Sequence, residues 1–381
     1  MLRCNILSVF LAFSLLAGAQ DWKVVRENPQ KAFPKTVAAG NYSGIAHLYD
    51  DIYAVVSDKS DSALYFNFRI LVNPKTGELE QVENLGFTER TDGTLNDGKP
   101  WQGQEKGFDH EAIVKVSDST LVIASEGCCR LKEYPILPTS ADAAKVGSSQ
   151  NLWESKWPSS EFYPNYNFES LAFDSVRQYL WTIPESTLRK DGLPATPQNG
   201  LANQLRLMRL DWGKMKENRN KEEYSEQVSS KKNSRYMTPY AYLMDQPSTH
   251  KKADIYVMGV SELCALPDGQ LLVLEREAFI PKIKIGAFCK CKLYLINPLN
   301  SEEFSMKEKF SSDTPFLKKR LLTEWKTGLS LSKRSFANYE GMCLGPMLED
   351  GSQVVILLSD SQDQYAGVLK DWFKTIVIRK E

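Results

Sequence analysis

The chain has 381 residues, 42% of them hydrophobic, 25% charged and 11% aromatic, an ordinary globular composition with enough length for one large or two medium domains. Lys plus Arg number 47 against 48 Asp plus Glu, so no global charge excess draws the molecule to nucleic acid or to an anionic membrane. Any charge-based function has to be local.

Residues 1–19 read as an export leader, with Arg3 as the positive flank, an apolar stretch over 6–16, and the small residues Ala17, Gly18 and Ala19 before Gln20. The apolar stretch is too short to cross a bilayer. The expected mature chain is therefore secreted or periplasmic and off the membrane once the leader is cut, a single domain over 20–381. Cys4 precedes the apolar stretch, so it is not placed for lipid attachment. The remaining six cysteines, Cys128, Cys129, Cys264, Cys289, Cys291 and Cys343, are compatible with disulfides in an exported chain, with the pairing left open. The spacings "CC" and "CKC" do not suit zinc.

After the short strand-like "DWKVV" at Asp21, a pattern begins that recurs five times: "YSGIAHL" at Tyr42, "HEAIVKV" at His110, "FESLAF" at Phe168, "VSELCAL" at Val260 and "YEGMCL" at Tyr339. Aligned, they carry Ser43, Glu111, Glu169, Ser261 and Glu340 at one position. A second apolar run follows each: "YAVVSD", "LVIASE", "LWTIPE", "LLVLER" and "VVILLSD", ending on Asp58, Glu126, Glu185, Arg276 and Asp360. In four of the five, marker and terminal residue lie 15 or 16 residues apart; the fifth carries the extra turn "GPMLEDGSQ". Further strand-like runs come behind, among them "ALYFNFRILV", "QLRLMRLDW", "CKLYLINP" and "KTIVIRK". The Lys/Glu-rich stretch over 214–232 reads as a solvated insertion, and no long segment has helical periodicity.

Markers 58 to 92 residues apart leave room for four strands each, as a propeller blade needs. The expected fold is an all-β propeller of five blades, with six as the alternative because the longest interval has space for a degenerate blade. "DWKVV" would supply the last blade's outer strand and close the ring between the two ends of the chain.

In such a blade the entry to the innermost strand and the exit from the second strand open on one face, which would crowd both residue sets at one mouth of the channel. Carboxylates gathered there either raise their pKa values or hold a cation, and a ring of hard oxygens suits Ca2+. Glu111, Glu169 and Glu340 are the expected metal ligands, with Ser43, Asp58, Glu185, Ser261, Glu262 and Asp360 also at the mouth. A bound cation would let the pocket receive an anion, contacted by Lys59, Arg276 and Arg130. The same repeated acids are also expected of plain blade architecture, in which they bond the backbone of neighbouring blades. His47 and His250 have no expected partner, and no phosphate-cradling Gly-rich loop, zincin motif or nucleophile elbow is present.

Taken together, "YSGIAHL…YAVVSDKS", "FDHEAIVKV…LVIASEG", "NFESLAFD…LWTIPES", "GVSELCALPDGQLLVLERE" and "NYEGMCLGP…VILLSDSQ" resemble the phytase-like family described by the esterase-like activity of phytase, over most of the mature chain and in the family's order. The final motif departs, with Ser359, Asp360 and Ser361 where an Asn-Asp type ending is expected. The resemblance implies a secreted or periplasmic propeller that hydrolyses phosphoesters; the blade count also looks like that of calcium-dependent apyrase-type propellers, as an analogy only. In this reading Glu126 is the general base, His110 the acid, and a small anionic phosphoester the partner of an expected monomer, with no nucleic acid. The alternative is a non-catalytic propeller that binds a ligand or partner protein at the same face. A third reading is a glycosidase with paired carboxylates across the channel.

Overall fold

The computed structural model describes residues 21–59, 63–89, 109–136, 152–219, 234–330, 334–361 and 369–381. The leader expected over residues 1–19, with Cys4, lies outside them.

Five antiparallel sheets stand around a central channel. The ring opens with β1 (Trp22–Glu27) and the short β2 (Lys31–Ala32). Blade one is β3 (Tyr42–Tyr49), β4 (Ile52–Ser57), β5 (Ala63–Val72) and β6 (Leu79–Glu89). Blade two is β7 (His110–Lys115), β8 (Thr120–Ser125), β9 (Arg130–Pro135) and β10 (Glu154–Lys156). Blade three is β11 (Phe168–Asp174), β12 (Tyr179–Pro184), β13 (Gln204–Asp211) and β14 (Met237–Leu243). Blade four is β15 (Ile255–Ala265), β16 (Leu271–Ile280), β17 (Phe288–Ile296) and β18 (Lys319–Gly328). Blade five takes β19 (Asn338–Met347), β20 (Gln353–Asp360) and β21 (Trp372–Lys380) from the end of the chain and β1 from its beginning.

The closing strand expected from "DWKVV" is thus observed: β1 pairs antiparallel with β21 from Trp22↔Lys380 to Glu27↔Ile376. Beyond the strand ends, Asp21 and Glu381 exchange both backbone hydrogen bonds, at 2.7 and 3.0 Å. Five blades are present, and among the described residues the longest interval holds no sixth. Its extra length goes into the connections that precede β13 and β14, the second of which opens with a short helix, α1 (Trp212–Arg219). That helix occupies the start of the Lys/Glu-rich stretch expected to be a solvated insertion; residues 220–233 lie outside the described ones.

Each second strand is sandwiched between neighbouring blades, so it has no solvent face and its sequence is an apolar run without alternation. All six residues of β4 and all eight of β20 are buried. The core is accordingly five clusters, one per interface. Val55, Phe68, Val354 and Phe373 pack blade one on blade five, for example, and Trp181, Tyr240, Val260 and Val273 pack blade three on blade four. None of the six described cysteines is joined in a disulfide. No helix among the described residues is long and apolar enough to cross a membrane.

Candidate functional site at the channel mouth

The marker position has one structural cause in every blade. Pairing between the first two strands slips there: His110 faces Ser125 and Ala112 faces Ala124, leaving Glu111 as the extra residue. The same slip falls on Glu169, Ser261 and Glu340, and over Ser43 and Gly44 in blade one. A β-bulge re-aims the side chain it carries. Here it recurs around the rim of one channel.

A second repeat lies two residues earlier, at Asn41, Asp109, Asn167, Gly259 and Asn338. The backbone carbonyls of Asn41, Asp109 and Asn167 accept from the N–H groups of Asp58, Glu126 and Glu185, at 3.2, 2.8 and 2.8 Å. This bond ties each bulge to the residue leaving the second strand. Asn41 and Asp109 adopt positive φ, 47° and 51°, a conformation that short polar side chains tolerate best.

The acids of the mouth fall into two groups. On the blade three to five side, the buried Arg276 guanidinium reaches three carboxylates. Its Nη2 donates to Glu185 Oε1 at 2.5 Å and Glu169 Oε2 at 3.1 Å, and its Nη1 donates to Glu340 Oε1 and, at 3.2 Å, to Asn338 Oδ1. Asn338 Nδ2 donates to the same Glu340 oxygen at 2.7 Å. Burial by itself would favour a neutral guanidine, but Glu169, Glu340 and Glu185 hold the charge firmly on Arg276.

On the blade one to two side, one oxygen each of Asp58, Asp109 and Glu111 lies within 4.8 Å of the other two. Burial pushes the Asp58 carboxyl up to about 7, with Asp360 adding to the shift and Lys59, whose Nζ is 3.5 Å away, opposing it. Glu111 is held well above the usual carboxylate range, first by burial and then by Glu340, Glu126, Asp58 and Asp109. Glu126 stands between the groups: it takes the Asn167 N–H at 3.1 Å and is pushed up to about 7, by burial and then by Glu185 and Asp109.

The other expected site residues are engaged in contacts within or between blades. The Ser43 hydroxyl donates to the His110 carbonyl of blade two at 2.6 Å, and the Ser261 hydroxyl bonds the Leu274 carbonyl of its own blade. The buried His110 ring puts Nδ1 2.9 Å from Ser125 Oγ. Arg130, also buried, reaches Glu154 on the outer strand β10 at 3.4 Å. Glu262, one residue past its bulge, accepts the N–H of Leu171 in blade three at 2.9 Å and that of Leu263 at 3.0 Å. Of the three glutamates expected to share a cation, Glu169 and Glu340 share Arg276, and Glu111 faces two aspartates. Asp109 was missed, because in the other blades its position holds Asn or Gly and reads as turn chemistry. The one available signal was "FDHE", an acid two residues before a marker acid.

Such an oxygen-only, half-buried cluster fits a hard divalent cation. Asp58 Oδ1 is buried without a hydrogen bond, which leaves a lone-pair site directed at no donor.

No curated protein matches the chain. Among solved structures, a streptogramin B lyase is 10% identical, covering 93% of this chain and 98% of its own, with a TM-score of 0.33. A virginiamycin B lyase from Staphylococcus aureus is 9% identical over 93% and 99%, with a TM-score of 0.32. A GH43 glycoside hydrolase is 10% identical over 93% and 52%, with a TM-score of 0.37. Likeness at this level says nothing of chemistry. The family model described as "Phytase-like: Esterase-like activity of phytase" matches residues 37–362, nearly the whole ring described above, and the chain belongs to that phytase-like family.

Proposed function

We propose that the protein is an exported hydrolase of small phosphoesters that works with a calcium ion at the channel mouth. The observation that carries this reading is the convergence of Asp58, Asp109 and Glu111 in a chain of the phytase-like family. These three residues would hold the ion, which when bound would offset their mutual repulsion and polarise a phosphoryl oxygen.

The chain's own residues supply the rest. Glu126, with a carboxyl pushed up to about 7, accepts a proton from an attacking water at neutral pH, and the Asn167 backbone N–H fixes its orientation. Lys59, half-exposed beside Asp58, contacts the phosphate. Arg276 is a positioning residue in this scheme, since its side chain is 3% exposed and turned into three glutamates.

That burial of Arg276 also favours a second reading, a propeller that binds a ligand or partner at the mouth without turnover. Calcium titration of the purified protein by calorimetry, followed by a phosphoester panel, separates the two. Saturable calcium binding that Asp109→Asn weakens at least tenfold, with phosphate release dependent on the ion, supports the hydrolase. Binding without release of phosphate from any ester supports the second reading, and no binding sinks the metal site.

A further inference from the structure

Asp58, Glu126, Glu185, Arg276 and Asp360 hold one equivalent position on or just after the five second strands, four acids and one arginine around a ring. The arginine comes from blade four, and its guanidinium is shared between Glu169 and Glu185 of blade three and Glu340 of blade five. We propose that Arg276 is the resident cation of a second oxygen-ligand site, and that an uncharged side chain in its place turns the blade three to five side into a divalent-cation site.

The geometry is that of a filled coordination centre. Three carboxylates and the Asn338 amide oxygen converge on one charge from different chain segments. Glu185 is 0% exposed, and its second oxygen, Oε2, has no hydrogen-bond partner, so a ligand atom is held ready in the dry interior. Four such oxygens suit a hard cation able to take additional water. Stripping the guanidinium away leaves buried acids without a counterion, a state that costs far more than an exposed unpaired charge. Among the described residues no arginine sits in the blade one to two group in the same way, so the native mouth takes one added ion and keeps Arg276 as a permanent second charge.

The proposal rests on the mouth being an oxygen-ligand site and not on phosphoester cleavage. The test is calcium stoichiometry by calorimetry for the full chain and for Arg276→Met. One more ion per molecule in Arg276→Met than in the parent is expected, and Arg276→Met/Glu185→Gln/Glu340→Gln should lose it. A parent that binds no ion while Arg276→Met binds one removes the proposed catalytic metal but supports this inference. Equal stoichiometry in parent and Arg276→Met overturns it, as does an extra ion that survives in the triple variant. Should Arg276→Met fail to fold without ions, circular dichroism in millimolar calcium decides: recovered β structure supports the second site, and no recovery overturns it.

Discussion

Asp58 and Glu126 are both pushed up to about 7, far above the ordinary carboxylate values they have in an unfolded chain, and the sign of the consequence is fixed. A folded state that holds its protons more tightly than the unfolded state is favoured at low pH and loses that advantage as pH rises through the folded pKa. Metal-free protein should therefore melt at a higher temperature at pH 5 than at pH 8, with most of the change between about pH 5 and 7. Asp58→Asn should flatten this dependence and stabilise the metal-free protein at pH 8 by about 1 to 2 kcal/mol, read by thermal melts across pH. Melts that rise with pH would contradict the raised values. For catalysis, Glu126→Gln should cut phosphoester turnover roughly 100-fold and leave calcium affinity within threefold, measured by phosphate release and calorimetry. At this scale the sequence was only half readable. The repeat picked out Glu111, Glu169, Glu340 and the second-strand termini as neighbours, because equivalent positions in a ring must face one another. It did not show that Arg276 points at glutamates and not outward, since that depends on how far β15 and β16 run past the bulge.

Blade four is where element length decides chemistry. In the other blades the residue equivalent to Arg276 ends its strand or follows it, but β16 continues to Ile280 and pairs Arg276 with Gly259 of β15. A Cβ at Gly259 would sit 2.3 Å from Glu185 Cγ and 2.6 Å from the Glu185 carbonyl oxygen. The missing side chain is the space in which Glu185 lies against its neighbour blade. Gly259→Ala should destabilise the fold by about 2 kcal/mol in urea denaturation and disturb the Glu185 to Arg276 pair; an unchanged midpoint would show that the blades can part there at little cost. The strands themselves were legible for a simple reason: a strand buried on both faces is written as an unbroken apolar run, and five such runs at similar spacing admit few architectures. The bulges were not, because one extra residue in one strand leaves no mark until its partner is known. Helix α1 was missed because it is only eight residues long and carries just two apolar side chains, Trp212 and Met215, both buried in the core, which is too few to mark a period.

At the scale of the whole molecule, five interfaces share the core and no blade is self-sufficient, so the ring holds only as long as blade five keeps its fourth strand. Removing residues 21–27 strips β1 from β21 and exposes the edge of a buried sheet. The truncated protein should melt roughly 10 °C lower, on the order expected for losing several kcal/mol from a large domain, and should aggregate on heating, measured by calorimetry and light scattering. A truncation that melts like the parent would mean that the ring is held by blade packing alone.

The closing pair also sets an order of events in time. A ribosome makes β1 first and β21 last, so the opening strand must wait, unpaired, through the production of nearly everything else. Contacts between such distant segments are the slowest to form, and the intermediate presents an unfilled edge on a ring of four finished blades. Closure by β1 is then the expected last step of folding, and a chain that has not yet closed should offer β21 as an edge to the first strand of another copy.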